Sequence, residues 1–107
     1  MTTEGKKNDS GKEQMDLLSH KAMLEVAKVF GEGARKYGRF NYRKGIAFSR
    51  LISAANRHLG AFNAGEDMDP ETGLPHAAHL AANAIMILDM LREHPELDDR
   101  HSAEKKT

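Results

Sequence analysis

The residues best suited to chemistry lie at positions 65–79, in the stretch GEDMDPETGLPHAAH. This block holds four carboxylates, two histidines, two prolines and two glycines. Because proline and glycine interrupt helices, we predict that its acidic half is a loop and that its histidines open the next helix. Oxygen and imidazole groups gathered in a loop suit a divalent cation or a polar ligand.

The candidate metal ligands of this loop are its first three acids, Glu66, Asp67 and Asp69. Hard divalent cations prefer several oxygen donors, and these carboxylates stand close together in the chain. The alternative is a solvated turn, in which the prolines and glycines serve turn geometry and no cation binds.

Histidines form the second candidate group. His76, His79 and Asn83 are spaced by three and then four residues, so they share one stripe of a helix. His58 stands on the apolar face of the preceding predicted helix, about six residues before its end, which matches the depth of His79 in an antiparallel hairpin. The spacing predicts a polar pocket below the acidic loop. The alternative is that His58 is a core histidine with a backbone or water partner and that His79 is a surface residue.

The third group is the segment RKYGRFNYRKG at 35–45, where five cations alternate with three aromatics. Cations bind phosphates, and aromatic faces stack on bases. The chain has sixteen basic and sixteen acidic residues, so a local patch of this kind suits a small nucleotide rather than a long polyanion. The alternative is that the aromatics cap the core while the cations are solvated. The candidate ligand-binding residues, the last two of which lie outside this segment, are Lys36, Tyr37, Arg39, Asn41, Tyr42, Arg43, Lys44, Arg57 and Asn83.

Three segments with helical apolar spacing must position these groups. We predict helices from about 19 to 36, with Ser19 as N-cap, from about 49 to 64, and from about 74 to 93. The third is apolar around most of its circumference, which is typical of a central helix in a bundle or of a helix buried in an oligomer. We therefore predict an all-α fold, a small bundle of about three helices completed by homo-oligomerisation, most simply as a dimer. A three-helix monomer is the alternative.

The composition along the chain indicates one domain between two polar tails. We predict a disordered N-terminal tail at 1–14, a helical nucleotide-handling domain at 15–94 and a polar C-terminal tail at 95–107, because both ends are poor in large apolar residues. The chain has no cysteine, so thiolate metal ligands are excluded. The balanced charge and the lack of a long apolar run indicate no nucleic-acid polymer and no membrane as partner, and a cytoplasmic protein.

Together these groups resemble the phage-associated family named dATP/dGTP diphosphohydrolase, N-terminal domain. The resemblance covers about residues 10–92. Its shared elements here are GARKYG at 33–38, NYRKG at 41–45, RH at 57–58, the 65–79 block with Thr72 where serine is usual, and Asn83. It implies an all-α protein, encoded by a bacteriophage or prophage, that handles purine deoxynucleotides in the cytoplasm of an infected bacterial host.

The resemblance also implies an activity: hydrolysis of a purine deoxynucleoside triphosphate to a monophosphate and pyrophosphate, with Mg²⁺ or Mn²⁺ bridging the phosphates. The three loop acids would then hold the metal, and cations of the 35–45 segment would neutralise the phosphates. Tyr37 or Tyr42 would stack on the purine. The catalytic residues, which orient water or contact phosphate, would be His58, His76 and His79.

A second interpretation follows from what the predicted helices lack. The distantly similar MazG-like all-α NTP pyrophosphatases carry paired helical ExxE…ExxD motifs, whereas this chain has Arg57-His58 and His79…Asn83 in their place. A pocket without helical carboxylates also suits a non-catalytic sponge with an anti-defence role, which would sequester a host immune signal such as a cyclic dinucleotide or an ADP-ribose derivative. A structural or interaction protein without a small ligand is the third interpretation.

Overall fold

A computed structural model describes residues 4–101 of the chain. The predicted all-α class with three helices is confirmed, and within the described residues the only β-pairing is an isolated antiparallel bridge between Met68 and Pro75. The outermost parts of the two predicted tails, at 1–3 and 102–107, lie outside the described residues. The helices are α1 (His20–Tyr37), α2 (Phe48–Asn63) and α3 (His76–Glu93), and short 3₁₀ turns cover Met15–Leu17, Asn41–Lys44 and Pro95–Leu97.

The first helix, α1, begins and ends through local chemistry. Ser19 is its N-cap, as predicted, and the Ser19 hydroxyl accepts a hydrogen bond from the N–H of Ala22 at 3.2 Å. The helix stops before Gly38, which has a φ of 97°, a conformation that residues with a side chain rarely adopt. Its apolar stripe buries Val26 and Val29.

The third helix, α3, is the centre of the fold because both other helices pack against it. Its first half contacts α1 through Ala78 and Ala82, whose small side chains allow a close approach. Its second half contacts α2 through Met90, which is fully buried beside Phe48. Met86 packs against both apolar clusters. These two opposed contacts explain why α3 is apolar around most of its circumference.

The C-terminal segment at 95–100 is packed onto the helices, although its polar composition predicts a loose tail. Leu97 joins the apolar cluster between α2 and α3. Asp99 accepts hydrogen bonds from the N–H and the hydroxyl of Ser49, at 2.8 and 2.6 Å, and so satisfies a free donor in the first turn of α2. The packed part of the chain therefore continues past the predicted boundary at residue 94.

Several large apolar side chains remain on the surface of this single chain. Leu17 and Leu88 are 75% and 61% exposed, for example. Such a surface is compatible with the predicted homo-oligomer, which stays a prediction. None of the helices between residues 4 and 101 has both the length and the apolarity needed to cross a membrane.

Candidate functional site

The loop at 64–75 is an ordered turn that returns over the ends of α2 and α3. Its backbone is closed by the Met68–Pro75 bridge and by a hydrogen bond from the N–H of Asp69 to the carbonyl of Leu74, at 2.8 Å. The Asp69 side chain braces the same turn, because its Oδ1 accepts from the N–H of Glu71 at 2.9 Å. Turn geometry is therefore one role of these residues. However, the Asp69 side chain is only 13% exposed, so this carboxylate is not a solvated surface group.

Three histidines meet directly beneath this loop. The rings of His58 and His79 stack with their centroids 4.4 Å apart and their planes 7° from parallel. Nδ1 of His58 lies 2.9 Å from Nδ1 of His76. His76 and His79 are buried, and His58 is partly buried. The antiparallel packing of α2 on α3 thus brings together the histidines that the spacing placed at one depth.

A chain of hydrogen bonds connects Glu66 to His58 through His76. Oε1 of Glu66 lies 2.7 Å from Nε2 of His76, whose Nδ1 faces His58. When both rings are neutral, Nε2–H of His76 donates to the carboxylate and Nδ1 of His76 accepts from Nδ1–H of His58. Nε2 of His58 is then left with a free lone pair, which can bind a metal or accept a proton.

His79 faces the loop from the other side. Its Nε2 lies 2.7 Å from the hydroxyl of Thr72 and 3.5 Å from Oδ2 of Asp69. Thr72 also accepts from the N–H of Leu74 at 3.2 Å, so its side chain is held in place by the turn. Thr72 is not among the predicted site residues, although it stands where serine is usual in the similar family.

Electrostatics favours the neutral form of two of these rings. Burial is the main cause that lowers the pKa of His58, and the neighbouring charge of His79 lowers it further. Burial likewise lowers the pKa of His79, while the Asp69 carboxylate opposes the shift. Neutral imidazoles are the form that binds metals and accepts protons, so the cluster is prepared for either role near neutral pH.

One set of side chains in the described chain has the spacing of a metal site. His58, Asp69 and His79 each offer a ligand atom, and these atoms lie within 4.8 Å of one another. The other two predicted ligands are placed differently. Glu66 is bound to His76, and Asp67 contributes its backbone carbonyl, which accepts from the N–H of His76 at 2.9 Å. The loop therefore delivers one carboxylate, not three, to the set with metal-site spacing.

The basic and aromatic segment borders a separate cavity of about 500 Å³ between the end of α1 and the 3₁₀ turn that follows. Phe30 and Met86 contribute to its apolar wall. Of the predicted ligand-binding residues, it is lined by Tyr37, Arg39, Asn41, Tyr42 and Arg43.

The rim of this cavity carries a strained aromatic residue. Phe40 has a φ of 61°, and it is the one non-glycine residue with a positive φ in the described chain. The guanidinium groups of Arg39 and Arg43 lie 5.4 and 4.7 Å from its ring centroid. The hydroxyl of Tyr42 donates to Asp89 at 2.7 Å, whereas Tyr37 is 70% exposed and free to stack on a ligand. Phe40 is not among the predicted ligand-binding residues, and its backbone conformation distinguishes it from them.

The remaining predicted ligand-binding residues lie elsewhere. Arg57 and Asn83 line a second cavity, of about 460 Å³, in the groove between α2 and α3. Lys36 lies 3.8 Å from Glu71 of the acidic loop, and Lys44 lines neither cavity. The predicted basic site is therefore divided between two neighbouring cavities and the loop.

Comparison with known proteins identifies similar sequences. A family model described as dATP/dGTP diphosphohydrolase, N-terminal, matches residues 2–100. A curated protein named dATP/dGTP diphosphohydrolase, from Salmonella phage PMBT28, is 41% identical over 96 residues. That alignment covers 90% of this chain and 33% of the relative, so the chain spans about a third of the relative's length. No solved structure matches the chain.

Proposed function

The chain belongs to the dATP/dGTP diphosphohydrolase N-terminal family, and from this membership we propose that it takes part in metal-dependent hydrolysis of purine deoxynucleoside triphosphates to monophosphate and pyrophosphate. The observation that carries the proposal is the convergence of His58, Asp69 and His79 within 4.8 Å beneath the acidic loop. Two neutral imidazoles and one carboxylate form a donor set typical of catalytic metal sites.

This donor set fits a transition metal better than Mg²⁺. Mg²⁺ prefers oxygen ligands, whereas imidazole nitrogen suits first-row transition metals, so Mn²⁺ is the better of the two predicted ions. His58, Asp69 and His79 would hold such an ion. When bound, the metal supplies charge that stabilises the phosphates and acidifies a water.

Protein groups account for the proton transfer of the proposed reaction. A water oxygen forms a bond to the α-phosphorus, the bond from that phosphorus to the bridging oxygen breaks, and pyrophosphate leaves with the electron pair. The Glu66 carboxylate is 53% exposed and lies next to His76, so it can accept the proton that the water loses. His76 anchors this carboxylate against the buried side of the cluster.

The cavity beside the basic and aromatic segment is suited to the purine. Its volume of about 500 Å³ is within the range of about 300–1,000 Å³ found for ligand pockets. Tyr37 is free to stack on a base, and Arg39 and Arg43 place positive charge at the rim. The substrate class itself rests on family membership rather than on this cavity.

Incubation of the purified protein with a panel of deoxy- and ribonucleoside triphosphates, with Mn²⁺, with Mg²⁺ and with EDTA, tests the proposal. Mass spectrometry should detect dAMP or dGMP together with pyrophosphate only when a divalent ion is present. The Asp69→Asn variant should lose this turnover, whereas Glu25→Gln, at a partly exposed position on α1, should retain it. Nucleotides recovered intact under every metal condition would refute the proposal.

The cavity chemistry supports a second candidate, a nucleotide-binding sponge. Among the described residues, no carboxylate lines either of the two cavities, so neither lining itself offers an acid that could hold a metal. A sponge of this kind would bind a cyclic dinucleotide or an ADP-ribose derivative in the presence of EDTA and release it unchanged on denaturation. Release of a cleaved product would exclude this candidate.

A further inference from the structure

We propose that the groove between α2 and α3 is a polyphosphate-binding subsite, in which Arg50 and Arg57 hold the phosphate chain of a nucleotide next to the histidine cluster. The proposal rests on the proposed function for the identity of the ligand, since the groove itself indicates only a chain of phosphates.

The groove is formed by facing stripes of the two helices. On α2, Arg50, Ser53 and Arg57 follow helical spacing along one side, and on α3, Asn83 and Met86 form the opposite side. The cavity between them is about 460 Å³. Arg50 and Arg57 are seven residues apart, so their backbone positions lie about two helical turns, or about 10 Å, from each other along the helix axis. That separation is suited to a chain of phosphates rather than to a single small anion.

The charge in this groove has no partner within the part of the chain that the structure describes. Neither Arg50 nor Arg57 has a carboxylate within 4.0 Å there, in contrast to Arg35 and Arg100, which pair with Glu32 and Asp98. No acidic residue between positions 4 and 101 lines the cavity. Guanidinium groups bind phosphate through paired N–H donors, so two unpaired arginines in one groove are complementary to a polyanion.

The groove leads directly to the histidine cluster. Arg57 precedes His58 on α2, and Asn83 follows His79 by one turn on α3. The amide of Asn83, which lines the groove, donates to the carbonyl of His79 at 2.9 Å.

The other end of the groove adjoins the aromatic cavity. Ile46 and Met86 line both cavities and form the boundary between them. The order is therefore the aromatic cavity, the arginine groove and then the histidine cluster. A nucleotide with its base in the aromatic cavity and its phosphates in the arginine groove would present those phosphates to the histidine cluster.

Calorimetric titration of the full chain with inorganic tripolyphosphate, in EDTA, tests the subsite without nucleotide or metal. Wild-type protein should bind, and binding should weaken as NaCl is raised. Arg50→Gln and Arg57→Gln should each weaken binding about tenfold, because each removes a charge-assisted contact. Arg92→Gln is the matched control: it is exposed on α3 and, nine residues beyond Asn83, faces about half a turn away from the groove.

Absence of tripolyphosphate binding, or equal affinity in Arg57→Gln and wild type, would overturn the subsite. A loss shared by Arg92→Gln would do the same, because it would indicate nonspecific charge attraction. Assays of nucleotide turnover distinguish failure of the subsite from failure of the proposed hydrolysis. Arginine-dependent binding without turnover of any nucleotide supports the subsite and refutes hydrolysis. Turnover with an unchanged KM in both groove variants refutes the subsite and supports hydrolysis.

Discussion

The carboxylate of Asp69 has two neighbours, one on each oxygen. Oδ1 accepts from the N–H of Glu71 and braces the turn, while Oδ2 faces the ring of His79. Oδ1 therefore has a structural role in the turn, and Oδ2 is the oxygen available to a metal beside His79. Substitution by asparagine retains an oxygen for the turn and removes the charge, which makes Asp69→Asn a specific probe of the metal role.

We predict that Asp69→Asn weakens Mn²⁺ binding more than Glu66→Gln does. Asp69 would bind the ion directly, whereas Glu66 acts through His76, and loss of such an outer partner typically costs about 10- to 100-fold in metal affinity. Titration calorimetry with Mn²⁺ measures both variants, and Glu25→Gln should match wild type. A larger loss in Glu66→Gln than in Asp69→Asn would favour the sequence-based interpretation, in which Glu66 is itself a ligand.

The histidines also predict how the free energy of unfolding depends on pH. Burial lowers the pKa of His58 and His79 in the folded state, so the unfolded chain takes up protons more readily. Their contribution to stability is therefore fully present above the unfolded pKa of about 6.5 and is lost as the pH falls through that value toward the lower folded pKa.

Urea unfolding of the metal-free protein between pH 7.5 and pH 5 measures this effect. Across that interval His79→Gln should lose less stability than the wild type, because it has one such group fewer. His20→Gln, which removes an exposed histidine on α1, should follow the wild type. Identical pH profiles for wild type and His79→Gln would contradict the assignment.

At the scale of elements, the C-terminal segment holds the connection between α1 and α2. His94 lies 2.7 Å from the carbonyl of Arg43, and Leu97 lies over Gly45. Gly45 has a φ of 118°, and a Cβ at this position would stand 2.7 Å from Cδ1 of Leu97. The packed tail and the left-handed glycine therefore fit each other, and this contact fixes the loop that borders both cavities.

We predict that Gly45→Ala lowers the free energy of unfolding by about 1–3 kcal/mol, since alanine is strained at this φ. Gly60→Ala is the matched control, and it should change the free energy of unfolding in the opposite direction. Gly60 is helical, and a methyl group added there would meet nothing within 4 Å, so the substitution should stabilise the protein by about 0.5–1 kcal/mol. Chemical denaturation gives both values, and a neutral Gly45→Ala would show that the tail does not constrain the loop.

At the scale of the whole molecule, α3 packs against α1 and α2 yet still exposes Leu88 and Leu91. Two exposed leucines three residues apart form a stripe that nothing in the described chain covers. The predicted dimer would bury such a stripe against a second copy.

We predict that light scattering finds a dimer or larger oligomer at micromolar concentration and that Leu88→Glu shifts it toward monomer. A buried glutamate without a partner is costly, so the shift should be evident from the molar mass alone. Leu17→Glu, at an exposed position outside α3, should leave the oligomer unchanged. A wild-type protein that is monomeric at all concentrations would refute the predicted assembly.

The sequence by itself determined the helices and their ends. Apolar spacing located α1, α2 and α3 to within about two residues, because helical periodicity and caps such as Ser19 depend on near neighbours in the chain. Helical geometry also predicted that His58 and His79 lie at the same depth in the bundle, because the rise per residue is constant in both helices.

Only the tertiary structure decided which loop acid meets which histidine. Asp69 reaches His79 and Glu66 reaches His76 because turn dihedrals and the Met68–Pro75 bridge set the direction of each side chain. The same holds for the division of the basic residues between two cavities and for the packing of Leu97. These features depend on contacts between residues far apart in the chain, which composition and spacing do not encode.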